Sequence, residues 1–269
     1  IKILYTIPNF DTAGSGFALF QIAQRLDRKK FIAEIACTNS NGHLYREVIN
    51  SGIKVHIFDL YFKARPLYTM FKNCFKLSMK LKSINPDIIH SYHYASDYTE
   101  PLAAKLAGIR WIYTKKNMSW EGPSYRSWKV RSILADGIVC QNKNMIKEFF
   151  YQSKKARLIS IGVDIKKYSP QKVKKAVYKK NNLKFGNRFI ITIANFIPVK
   201  GIEILINAFC KLDNLNNGWG LIIVGDNKTE YGKKLKNLLN INQENKEKVI
   251  FTGKQRNVRD FLDISEIYV

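Results

Sequence analysis

The stretch Ile193–Leu205 reads IANFIPVKGIEIL. It closes one apolar run, Phe189–Ala194, and opens another, Gly201–Leu212. The first run is short and rich in isoleucine; the second carries apolar residues at helical spacing. Pro198 and Gly201 punctuate the join. A strand therefore hands over to a helix, with Lys200 at the handover. An ammonium at a helix N-terminus is unfavourable alone, because both are positive. It becomes favourable when an anion lies between them. A solvated surface lysine is the other reading, and local physics leaves the two open.

The same alternation runs outward along the chain. Ile1–Ile7, Phe31–Thr38, Ile53–Leu60, Asp87–Tyr92, Trp111–Thr114, Gly137–Cys140 and Ala156–Ile161 read as strands. Gly16–Leu26, Leu44–Asn50, Pro66–Ile84, Tyr98–Ala107, Ser124–Leu134 and Asn144–Tyr151 read as helices. After Phe189–Ala194 the rhythm continues through Gly220–Val224, Thr229–Leu239, Val249–Thr252, Val258–Ile264 and a strand from Glu266. Repeated βα units predict an α/β fold with parallel sheets covered on both faces. The lysine-rich segment Lys166–Arg188 interrupts the rhythm, so two domains are expected: 1–168 and 188–269, with 169–187 as linker. Both chain ends fall inside apolar runs, and the second domain is expected to be incomplete.

With 46% hydrophobic residues the 269-residue chain has the composition of a globular protein. Forty-five Lys and Arg against 21 Asp and Glu give a net charge of +24. That favours polyanionic partners, though lysines spread this evenly also suit an ordinary solvated surface. The four cysteines, Cys37, Cys74, Cys140 and Cys210, have no metal or redox spacing and read as reduced thiols of a cytoplasmic protein. No apolar run approaches the ~20 residues that span a bilayer.

Several sites can be weighed. Gly14, Ser15 and Gly16 follow the first strand as a glycine loop. Either they cap a helix, or they let backbone N–H groups approach an anion. Leu19 stands where a dinucleotide fingerprint needs its third glycine, and the second strand ends without an acid, which argues against a nicotinamide cofactor. The Gly-Lys pairs at 232–233 and 253–254 lack the rest of a P-loop. His90 and His93 at a strand end cannot build a zinc site by themselves, and no D-x-D pair exists to hold a metal–diphosphate. No metal or cofactor is expected. His93 remains a candidate for lining a strand-end crevice, and Lys115, Lys116 and Asn117 for contacting an anion just after the fifth strand. Pro66–Ile84 is amphipathic, with Leu67, Met70, Phe71, Cys74, Leu77, Ser78 and Leu81 on one face and Lys72, Lys76 and Lys80 on the other. It either covers a sheet or lies on an anionic membrane.

Read in order, these stretches resemble a GT-B glycosyltransferase of the large retaining group called family 4. KILYTI with AGSGFALFQIAQRL is similar to that family's first strand, glycine loop and helix. PDIIHSYH and ADGIVCQNKNMIKEF resemble its fourth and sixth strand regions. LISIGVDIKKYSP resembles its signature before the interdomain linker, IANFIPVKGIEILINAF its donor-phosphate loop, and GLIIVGDN with VIFTGKQRNVRDFLDISEIYV the strands that follow.

The resemblance implies two Rossmann-like domains facing a cleft and a metal-independent transfer of sugar from a nucleoside-diphosphate sugar to a glycan or lipid-linked acceptor. It implies that Lys200 stabilises the leaving diphosphate, with Asn195, Gly201, Gly253 and Gln255 on the donor side. Gly14 would close on sugar or phosphate, and His93, Lys115, Lys116 and Asn117 would lie on the acceptor or phosphate side. A cytoplasmic enzyme, touching an anionic membrane at its inner face, fits this picture. The sequence departs from the family in places. Asn195 replaces the usual arginine, Ala13 a glycine, Ile161 an asparagine and Lys116 a histidine. The chain also stops before the family's paired glutamates, so it is expected to be inactive alone. A basic α/β protein binding nucleic acid has charge alone in its favour; a sugar-nucleotide epimerase of the same fold is the other alternative.

Overall fold

The computed structural model of the protein describes residues 1–11, 13–93, 95–118, 125–170, 177, 178, 183, 188–212, 218–241, 247–255 and 257–269. Ser119, Trp120, Ser124 and most of the expected linker lie outside the described residues. The chain divides into two compact units, Ile1–Gly162 and Val163–Val269.

The first unit alternates strands and helices in the order β1 (Lys2–Thr6), α1 (Ala13–Arg25), β2 (Ile32–Cys37), α2 (His43–Asn50), β3 (Lys54–Ile57), α3 (Leu67–Ile84), β4 (Ile88–Ser91), α4 (Thr99–Ala107), β5 (Arg110–Lys115), α5 (Tyr125–Leu134), β6 (Gly137–Cys140), α6 (Lys143–Phe149) and β7 (Ala156–Leu158). Seven strands pair in the order β3-β2-β1-β4-β5-β6-β7, all parallel. One face packs on α1 and α2 through Leu19, Phe20, Ala23, Leu44 and Val48. The other packs on α3 to α6 through Met70, Cys74, Leu77, Ala103, Trp128 and Met145. Each leucine, valine, phenylalanine and methionine among them contributes about 1.5–3 kcal/mol on burial, which fixes which helix face turns inward. The expected apolar face of α3 is corrected in part: Leu67 and Phe71 are exposed, because the inward row centres on Met70, Cys74, Leu77, Leu81 and Ile84.

The second unit continues with β8 (Arg188–Ile193), a single 3-10 turn (Pro198–Lys200), α7 (Ile202–Cys210), β9 (Trp219–Val224), α8 (Glu230–Ile241), β10 (Val249–Gly253), α9 (Arg259–Asp263) and β11 (Ile267–Tyr268). Its parallel sheet runs β10-β9-β8-β11. Ile202, Ile206, Leu235 and Leu239 cover one face. Val177, Tyr178 and Leu183 join Phe261 and Ile264 on the other, so apolar residues of the stretch expected to link domains belong to this core. Among the described residues no helix is long and apolar enough to cross a membrane.

Candidate functional site

In both sheets the strand order reverses beside the first strand of the unit: β2-β1-β4 in one, β9-β8-β11 in the other. The helices that connect the strands on either side of β1, and likewise of β8, pack on opposite faces of the sheet; α/β sheets hold ligands outside the carboxyl ends of the strands at such a point. The residues singled out by sequence fall at these two rims.

At the rim of the second unit, β8 ends at Ile193 and the chain passes through Asn195 into the 3-10 turn. Lys200 closes that turn, its N–H donating to the Ile197 carbonyl at 3.0 Å. Gly201 follows with φ +65°, a left-handed conformation that a side chain would strain. It ends the turn and begins α7 in one residue, accepting from Leu205 N–H at 3.1 Å. Lys200 is thereby held exposed at a helix N-terminus and forms no ion pair with a described residue. Asn195 is also exposed. Gly225, which sequence reasoning did not single out, locks this rim. A Cβ there would stand 2.1 Å from the Ala194 carbonyl oxygen and 2.7 Å from the Phe196 ring. Its N–H donates to the Gly253 carbonyl at 3.1 Å, fastening β10's end to β9's. Gln255 turns back, its amide nitrogen donating to the Thr252 carbonyl at 2.7 Å. A glycine directly after an apolar strand run was the available signal for Gly225.

At the rim of the first unit, Gly14, Ser15 and Gly16 lie within the first turn of α1 and not in a loop ahead of it. Gly16 is packed against Phe10, with only 3.0 Å from a would-be Cβ to the ring, which folds the preceding loop back over the helix start. Gly14 is exposed with open space around it. Helix packing thus accounts for Gly16, while among the described residues no packing contact requires a glycine at position 14.

The lysines after the fifth strand separate. Lys115 is the last residue of β5 and is buried, a correction to its expected place as an anion contact after the strand. Its ammonium donates to the Asn117 carbonyl and side-chain oxygen, both at 2.6 Å, and lies 4.8 Å from the Trp128 ring and 4.6 Å from Phe149. Lys115 and Asn117 hold each other there. Lys116, one residue on, points to the other side: its ammonium donates to the Tyr92 carbonyl and lies 4.7 Å over the Tyr92 ring. It is brought beside His93, whose pKa burial and then Arg131 and Lys116 lower to about 3. His93 is buried and stacked on Tyr61 at 4.2 Å, and its Nδ1 has no partner among the described residues. His90, hydrogen-bonded to Thr114 at 2.8 Å, is lowered to about 4. Both imidazoles are neutral near pH 7.

Burial lowers Lys116 to about 7 and Lys115 to about 8. An unfolded lysine titrates near 10.4. Between those values the unfolded chain binds protons that the folded chain does not, so stability rises with pH from about 7 to about 10. The denaturant midpoint is therefore expected to be higher at about pH 9.5 than at about pH 7.5. General loss of positive charge acts in the same direction, so Lys116→Met is the control: it should flatten the rise. An unchanged slope would mean that Lys116 is charged in the fold.

A buried polar network, also missed by sequence, lies beneath this rim. Glu100 in the first turn of α4 accepts from the Thr6 hydroxyl and from the Ser91 hydroxyl at 2.7 Å. Arg131 of α5 donates to Ser91 Oγ at 3.2 Å and to the Asp97 carbonyl, and stands 4.0 Å from Glu100 Oε2. Its guanidinium lies 4.6 Å from the Trp111 ring and 5.1 Å from Tyr113. The Asp97 carboxylate accepts from Thr99 and Glu100 N–H groups, capping α4. Thr6 and Ser91 are register neighbours at the ends of β1 and β4, so the network clamps the switch point from below. The local sequence trace was Arg131 three residues after Trp128 on one face of α5.

Among the described residues no three His, Cys, Asp or Glu side chains cluster as metal ligands.

The sequence profile described as Glycosyltransferase Family 4 matches residues 12–167, and that described as Glycosyl transferases group 1 matches 147–269. No curated protein matches the chain. Among solved structures, a glycosyltransferase from Rickettsia africae ESF-5 superposes with a TM-score of 0.80 at 19% identity, covering 99% of this chain and 72% of that one. Anabaena Alr3699/HepE in complex with UDP and glucose gives 0.77 at 19% identity, covering 100% and 73%. A putative UDP-N-acetylglucosamine 2-epimerase from Listeria monocytogenes gives 0.63 at 13%, covering 98% and 71%. Part of the length of each has no counterpart here. Two doubly wound sheets with their candidate residues at the switch points, and a profile match over more than half of the sequence, place this chain in Glycosyltransferase Family 4, as a glycosyltransferase of GT-B fold.

Proposed function

We propose that the enzyme transfers a sugar from a nucleoside-diphosphate sugar to a glycan or lipid-linked acceptor, with retained configuration and without a metal. The observation that carries this reading is Lys200, an exposed cation with no ion pair among the described residues, placed by its backbone turn at the N-terminus of α7 beside the sheet's switch point. As the bond from the anomeric carbon to the phosphate oxygen breaks, its electron pair moves onto the diphosphate. A cation and helix N–H groups already in place stabilise that charge without reorganising. Asn195 offers an amide to the phosphate where charge is not required. The acceptor hydroxyl adds to the anomeric carbon on the face the diphosphate leaves, and its proton departs with the leaving group or to solvent.

UDP is the first nucleotide to test, because the Anabaena neighbour is described with UDP and glucose. The neutral imidazole of His93 and the low-pKa amine of Lys116 suit uncharged sugar hydroxyls, which supports the first unit as the acceptor side. Four cysteines that form no disulfide support a reducing, cytoplasmic setting.

The test is a thermal-shift series with UDP, UDP-sugars and the free nucleoside. A diphosphate at 100 times its Kd adds about 2.7 kcal/mol of stability, while the nucleoside adds far less. Equal shifts from nucleoside and diphosphate would remove the phosphate site. Conversion of the donor to its epimer without an acceptor would point to an epimerase instead.

A further inference from the structure

α3 has two apolar faces, and the sheet uses one. Met70, Cys74, Leu77, Leu81 and Ile84 face inward, where Cys74 Sγ lies 3.6 Å from the Thr99 carbonyl of α4. At 100° per residue, Tyr68, Phe75 and Met79 fall within about 40° of arc on the opposite side. They are 79%, 61% and 54% exposed, and Phe71 beside them is 53% exposed. A sheet-covering helix normally points its charged residues there. Here the lysines flank the apolar pole. Lys72, Lys76 and Lys80 descend one side and Lys82 borders the other, all exposed and none ion-paired with a described residue. No acid occurs anywhere in Leu67–Ile84.

We infer that this outer face of α3 docks on an anionic lipid bilayer, lying in the plane of the interface with its rings at the headgroup–acyl boundary. Charge selects the occupant. A second copy of the chain would set four lysines against four, and burial in a protein groove would desolvate each ammonium. A bilayer accepts both features: aromatic and thioether groups enter the interface while lysine stems snorkel to anionic headgroups. The chain's net charge of +24 adds attraction at longer range. The inference does not depend on the reaction proposed above, although an acceptor carried on lipid would be met at the same surface.

The 269-residue protein is sedimented with vesicles of phosphatidylcholine alone and with vesicles enriched in phosphatidylglycerol. It is expected to pellet with the anionic vesicles only, and less as salt rises. Lys72→Gln, Lys76→Gln and Lys80→Gln together should lower the partition coefficient roughly 100-fold, about five-fold per lysine. Phe75→Ser with Met79→Ser should lower it about ten-fold or more. All five side chains are exposed, so thermal midpoints should match the parent. As a second reading, Tyr68→Trp should blue-shift on the anionic vesicles and be quenched by brominated acyl chains. Undiminished pelleting of the lysine variant, or a bound Tyr68→Trp protein without a shift, overturns the inference. So does a dimer that Phe75→Ser dissociates, in the absence of vesicle binding. The UDP-induced thermal shift of the same variants should be unchanged. Loss of vesicle binding alone tests this face; loss of the nucleotide shift alone tests the donor site.

Discussion

In the full-length enzyme, replacing Lys200 by alanine is expected to lower turnover of a nucleoside-diphosphate sugar by about 10²–10³-fold, the range for removing one preorganised donor to developing negative charge. The donor KM should rise as well, because the ammonium meets a diphosphate already charged before the bond breaks. A binding measurement separates the two and needs no acceptor. Affinity for the nucleoside diphosphate should fall about 10–100-fold, the worth of a hydrogen bond to a charged group, while affinity for the nucleoside stays unchanged. The fold should not notice the change: the Lys200 side chain is exposed, and the turn is held by the backbone bonds of Lys200 to Ile197 and Gly201 to Pro198. An equal loss of nucleoside and diphosphate affinity would assign Lys200 a structural role. Unchanged affinity and turnover would end its proposed part in the chemistry.

The placement of Lys200 was legible because everything that sets it is local: a strand run, a proline, a glycine and a helical run within Phe189–Leu212. The strand–helix alternation was legible for the same reason. Sequence failed where distance in the chain or direction of a side chain mattered. Lys115 and Lys116 look alike in sequence, yet β5 extends through Lys115 and alternation sends the two to opposite sides. A lysine is a poor candidate for burial until Asn117, Trp128 and Phe149 are known to surround it. The α3 pattern was read as two faces, but only packing against α4 shows which residues form the inner row. Gly225 follows from the close approach of Ala194 and Phe196, 29 or more residues away. Thr6, Ser91, Glu100 and Arg131 join across as many as 94 positions, and no local pattern carries such a contact.

That network carries the largest expected effect on stability. Arg131 and Glu100 are both buried, and burial alone pushes the carboxyl pKa up and the guanidinium's down. Neither charge is tolerable without the other. Arg131→Met should cost about 3–5 kcal/mol, because it leaves a carboxylate stranded between two hydroxyls. For a chain of this size the thermal midpoint should drop roughly 10 °C. Glu100→Gln alone should also destabilise, by orphaning the guanidinium. The pair together should recover part of the loss, since two neutral groups of similar shape no longer carry uncompensated charge. The cycle should therefore show a coupling above about 1 kcal/mol, and simple additivity would mean that the charges do not interact. pH supplies a second check on the Arg131→Met protein. A carboxyl whose folded pKa lies above its unfolded value of about 4.3 binds more protons in the folded state, so stability is lost as pH rises through that range. The deficit should accordingly be smaller near pH 5 than near pH 8. A deficit independent of pH would trace the loss to packing of the guanidinium on Trp111 and Tyr113, with Glu100 already neutral in the native protein.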